Sequence, residues 1–91
     1  MRPENQRMQE FLRANGIEAH VRFIWKGSLK GCWRFHQPYR RQVKWTKDLE
    51  DKLNGLGFVD FDGKPLHRFS GNGGGFCVFV RGHNELLKGR V

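Results

Sequence analysis

The chain is predicted to fold as an α+β two-layer domain: one antiparallel sheet of four to five strands with two main helices packed on one face. Three observations carry this. Two segments place apolar residues at helical spacing, Met8/Phe11/Leu12 and Leu49/Leu53/Leu56, and each runs into a glycine stop. The segments that follow switch to a period of two or to short apolar runs. The resulting order, α-β-β-α-β-β with a short C-terminal helix, suggests two helix–strand–strand halves within a single domain spanning residues 1–91.

The first helix is expected from Pro3 to Asn15. Proline suits an opening turn, Glu4 complements the positive helix N-terminus, and Asn15-Gly16 supplies a left-handed stop that Ile17 can cover. From Ala19 the pattern alternates, with Ala19, Val21, Phe23 and Trp25 on one face and His20, Arg22, Ile24 and Lys26 on the other. After Gly27-Ser28-Leu29 it resumes, with Gly31, Trp33 and Phe35 on one side and Lys30, Cys32, Arg34 and His36 opposite. This reads as a β-hairpin with an apolar and a basic face, and it puts Trp25 and Trp33 in the core in preference to the alternative of stacking platforms. A basic loop opened by Pro38 follows, and Thr46 is the N-cap of a second helix that closes at Gly55 and Gly57. Phe58–Phe61 is a short strand and Asp62-Gly63 a turn; Leu66 to Phe69 is a candidate return strand. Phe76-Cys77-Val78-Phe79-Val80 is the most apolar segment, expected as a central strand covered on both faces, and Asn84 caps a last short helix.

A formal net charge of +8 over 91 residues predicts attraction to polyanions and says nothing about fold. A chain this short hides only about 60–65% of its unfolded surface, so a core rich in Phe and Trp is needed. No apolar run approaches the ~18 residues of a membrane span. The N-terminus lacks the apolar core of a secretion signal, so a soluble cytoplasmic protein is expected with no membrane partner. Cys32 and Cys77 are too few for a disulfide framework and read as buried, reduced thiols.

The main functional signal lies between Ala19 and Lys47. Arg22, Lys26, Lys30, Arg34, Arg40, Arg41, Lys44 and Lys47 fall there without one Asp or Glu, interleaved with aromatic rings. Cations alternating with flat rings suit a nucleic acid, which offers phosphates and bases together. The expected contacts are Arg22, Lys26, Lys30 and Arg34 from the hairpin, entering a groove as a two-stranded ribbon, and Arg40, Arg41, Lys44 and Lys47 from the following segment. Tyr39 or Trp45 would stack on a base, although Trp45 is equally placed to staple the start of the helix. DNA and RNA are left open. The competing reading is an interaction module docking the same basic face on an acidic host protein, and a plainly solvated charged face is the blandest one.

Enzymatic chemistry finds little footing. Ser70-Gly71-Asn72-Gly73-Gly74-Gly75 invites a phosphate-cradle reading, but a strand rather than a helix follows and no Gly-Lys-Ser/Thr ending exists. Its glycines still leave backbone amides open to close approach. Cys32 and His36 stand four apart, which on a strand is about 13 Å and too far for one metal ion. No nucleophile elbow surrounds Ser28 or Ser70, and Asp60 and Asp62 are ordinary turn residues. No catalytic residue, cofactor or metal is expected.

Gly27-Ser28-Leu29-Lys30-Gly31-Cys32-Trp33-Arg34-Phe35, the run Leu56-Gly57-Phe58 through Asp60-Phe61-Asp62-Gly63-Lys64-Pro65-Leu66, Ser70 to Gly74, and Val78 to His83 resemble small uncharacterised phage or prophage proteins. The resemblance spans about two-thirds of the chain. It implies a mobile-element origin and the cytoplasm of a bacterial host, and it transfers no functional residue.

Overall fold

Pro3 opens the first helix, α1 (Pro3–Ala14), behind an extended Arg2. The helix ends on a paired-carbonyl cap: Gly16 N donates to Arg13 O (3.0 Å) and Ile17 N to Leu12 O (2.9 Å), with Gly16 at φ 80°. The second helix, α2 (Lys47–Gly55), begins on Thr46, whose Oγ1 accepts from Leu49 N at 3.1 Å. It ends by the same device, with Gly57 at φ 91°, Gly57 N donating to Asn54 O (3.0 Å) and Phe58 N to Leu53 O (3.1 Å). In both caps the residue after the glycine, Ile17 or Phe58, is buried. The computed structural model describes residues 2–38, 43–68 and 76–88.

Four strands form one antiparallel sheet: β1 (His20–Phe23), β2 (Trp33–His36), β3 (Val59–Asp60) and β4 (Cys77–Arg81), in the order β1-β2-β4-β3. A 3-10 helix, Asn84–Lys88, follows β4. The α+β class and the four-stranded antiparallel sheet with two helices agree with the reading of the sequence. The central strands β2 and β4 belong to different halves of the chain, and each half contributes one edge strand. Val21, Phe23, Trp33, Phe35, Val78 and Val80 form a single buried cluster with Met8 and Leu12 of α1 and Leu53 of α2. Arg7 ties the end of the chain to α1, its Nε donating to Leu86 O (2.6 Å) and Nη2 to Leu87 O (3.0 Å).

Three expectations need correction. The hairpin strands are shorter than the alternation suggests, because pairing is interrupted at Ile24. Ile24 N donates to Cys32 O and Ile24 O accepts from Gly31 N, both at 2.9 Å, while Gly31 stands at φ 91°. That is a glycine bulge, two residues facing one, and Cys32 beside it is fully buried although it lies outside the main core cluster. Leu66 does not return as a strand among the described residues. The Asn54 side-chain amide takes both its backbone groups instead, accepting from Leu66 N (2.8 Å) and donating to Leu66 O (3.0 Å). Finally, β4 is central but not covered on both faces, since Cys77 and Phe79 keep partial exposure.

Candidate functional site

With one set of strand side chains buried, period-two geometry turns the other set to the opposite face. Those outward residues are His20 and Arg22 on β1, Arg34 and His36 on β2, Val59 on β3, and Cys77, Phe79 and Arg81 on β4. None is acidic. Register aligns them in rows: His20–His36–Cys77 across three strands and, two residues along, Arg22–Arg34–Phe79. Arg22 and Arg34 are thus direct cross-strand neighbours, and among the described residues neither makes an ion pair. Like charges placed opposite one another on a sheet repel.

The row is held in place from below and at one end. Arg34 Nε donates to Cys77 Sγ at 3.4 Å, which aims the guanidinium along the sheet surface. Arg81 reaches Phe61 O (Nε, 2.9 Å) and Lys30 O (Nη1, 3.5 Å), fastening the β1–β2 connection to the turn after β3. Two shallow depressions meet at Arg22. One is lined by Asn5, His20, Val21, Arg22, Arg34 and His36, the other by Arg2, Arg22, Phe23, Ile24, Trp25 and Lys26.

The residues picked from sequence therefore divide. Arg22, Arg34 and Lys26 come together through the shared depressions, and Lys30 lies exposed on the connection that Arg81 fastens. Lys44 is exposed but lines a different depression, between the end of α1 and the start of α2, with Asp48 and Lys52. Trp45 is not a free ring. It is 8% exposed, lies edge-on to Phe76 at 5.7 Å, and donates Nε1 to Glu50 at 3.3 Å. Lys47 is engaged as well, with Nζ 3.2 Å from both Glu50 and Asp51. Hydrogen bonds and charge from Asp51 and then Glu50 raise its pKa. Tyr39, Arg40 and Arg41, and the Gly71–Gly75 loop, lie outside the described residues.

The ribbon geometry also needs correction. β2 is hydrogen-bonded on both edges, to β1 and β4, so β1 and β2 are not a free two-stranded arm. Four strands span about 14 Å between outer backbones, wider than the ~12 Å major groove a ribbon enters.

Sequence reasoning set His36 on the outward face without giving it a role, and left Phe79 and Arg81 out of the site. Phe79 alternates with buried Val78 and Val80. Trp25 escaped because β1 stops at Phe23, leaving that indole 47% exposed rather than in the core.

The two thiols differ. Burial pushes Cys32 upward in pKa, against the lowering influence of Arg81, so it stays protonated. Cys77 is half-buried on the outward face. A maleimide should accordingly label Cys77 in the native protein and Cys32 only on unfolding; equal native labelling of both would contradict the burial of Cys32.

Among the described residues no group of three or more His, Cys, Asp and Glu is placed to hold a metal ion, and no helix is long and apolar enough to cross a membrane. No family model, curated protein or solved structure matches the chain.

Proposed function

We propose that this is a small, non-enzymatic nucleic-acid-binding protein that takes up phosphates on the outward face of its sheet. The reading takes both helices to lie on the apolar face, which their shared cluster with the inward strand residues supports. The observation that carries it is Arg22 directly opposite Arg34, on a surface whose outward strand positions include no carboxylate. Two guanidinium groups in register repel in the free protein and are relieved when an anion lies between them. Lys26 and Lys30 extend the cationic track along the connection. A bacterial cytoplasmic setting and mobile-element origin belong to the same proposal, resting on the resemblance of the glycine-rich and Trp33-containing segments.

The test is the salt dependence of oligonucleotide binding in the wild type and in the double variant Arg22→Glu/Arg34→Glu. Each phosphate neutralised contributes about 0.7–0.9 to the log–log slope, so the double variant should lose about 1.4–1.8 of slope and ~10–100-fold in affinity. Affinity indifferent to salt between about 50 and 200 mM would overturn the mechanism. Retention of one acidic protein with no retardation of any oligonucleotide would favour the alternative, a module that docks this face on an acidic partner.

A further inference from the structure

We infer that the nucleic acid is single-stranded and that Trp25 is the ring on which one of its bases stacks. The inference rests on the phosphate-binding reading above and adds the strand class and the stacking residue. Among the described residues Trp25 is one of two large apolar side chains left strongly exposed, 47% against 50% for Phe61, and three cations stand with Phe23 and Ile24 around it. It shares one depression with Arg2, Arg22 and Lys26. Arg2 also approaches Glu4 at 3.9 Å, whereas Arg22 makes no ion pair among the described residues.

The indole is braced but not covered. Phe23 meets it edge-on, with centroids 4.6 Å apart and planes at 66°, and Phe23 is itself fixed edge-on to buried Trp33 at 4.9 Å. A ring held by one edge contact keeps a face available for a second flat group. Phe23 and Ile24 supply an apolar floor beside the ring, and Arg2, Arg22 and Lys26 supply the cations. Cations grouped around an exposed ring suit an unpaired strand, which offers phosphates and base faces together.

A duplex fits less well. Its bases are already stacked, so Trp25 would gain nothing from them, and β1–β2 is not a free ribbon for the major groove. Because the depression around Trp25 adjoins the one holding Arg34 and His36, a strand leaving Trp25 can continue onto the sheet through Arg22. Small single-strand-binding domains occupy ~4–16 nucleotides, so a short oligomer is enough to test this path.

The experiment titrates wild type, Trp25→Ala, Trp25→Phe and Arg22→Glu with a thymidine oligomer of about 12 nucleotides and with a duplex of equal length. Circular dichroism and thermal midpoints confirm that each variant folds. Wild type should prefer the single strand by ~10-fold or more, with quenching of tryptophan emission that Trp25→Ala removes. Trp25→Ala should weaken single-strand binding ~10-fold and leave duplex binding unchanged, Trp25→Phe should restore most of the loss, and Arg22→Glu should weaken both. Equal affinity for the two oligomers, or single-strand affinity untouched by Trp25→Ala while Arg22→Glu weakens it, would overturn this inference and leave the phosphate-binding reading standing. Binding of neither oligomer would overturn both.

Discussion

Trp33→Ala is expected to cost about 3–5 kcal/mol, a large share of the ~5–15 kcal/mol that holds a domain of this size together. The indole is completely buried, lies edge-on to Phe23 at 4.9 Å, and pairs across the sheet with Val80. Its Nε1 donates to Gly82 O at 3.0 Å, so truncation opens a cavity and also leaves a carbonyl without its donor. The measurement is urea unfolding followed by far-UV circular dichroism, read as a lower midpoint at unchanged slope. Trp25→Ala is the matched control. It removes the same side chain from an exposed position and should cost about 1 kcal/mol or less. Similar losses for the two variants would show that the faces of the sheet have been assigned wrongly.

The contrast between these two tryptophans shows what the sequence made legible. Alternation separates Val21 and Phe23 from Arg22, and Trp33 and Phe35 from Arg34, because a strand with one buried face must obey a period of two. It cannot say where the strand stops. Gly31 forms a bulge against Ile24, a choice made by turn geometry and hydrogen bonding rather than by hydrophobicity, and the regular pairing ends there. Trp25 sits beyond that point and stands exposed rather than in the core. Helix ends were easier, since Gly16 and Gly57 are local signals read by their own neighbours. The fold class followed from such local signals, whereas the alignment of Arg34 with Phe79 depends on a β2–β4 pairing between residues 45 apart in sequence.

The cationic window was legible as composition, but its division into free and engaged charges was only partly so. Lys47 has Glu50 and Asp51 at the three- and four-residue spacings that meet on a helix, and this alone is reason to set it aside as a phosphate contact. The role of Trp45 was hidden, because the ring packs on Phe76, thirty-one residues away (76 − 45). Arg22 and Arg34 carry no local acid, and folding places none among the outward strand residues. Thus the part of the window on the strands keeps its charge available, while the part entering α2 is used for structure.

Glu50 decides that second outcome, and Glu50→Ala is expected to cost about 3 kcal/mol, because it leaves two donors without their acceptor at about 1–3 kcal/mol each. The side chain is 1% exposed, accepts from Trp45 Nε1 and from the Arg68 backbone amide through Oε1, and meets Lys47 Nζ through Oε2 at 3.2 Å. Alanine would strand a buried indole N–H and loosen the segment after Leu66. Glu50→Gln keeps an acceptor for those two donors and gives up the Lys47 contact, so about 1–2 kcal/mol is the expected cost. Lys47 is 60% exposed at its side chain, and in bulk solvent its own share of the pairing is small. Urea unfolding of both variants measures the difference, and a Glu50→Ala cost below about 1 kcal/mol would dismiss the buried network as a stabilising element. Lys47→Ala then separates architecture from binding. It should leave the salt slope for an oligonucleotide unchanged, whereas Arg34→Ala lowers that slope by about 0.7–0.9. A fall of similar size for Lys47→Ala would place this lysine on the nucleic acid after all, and would extend the binding surface from the sheet to the start of α2.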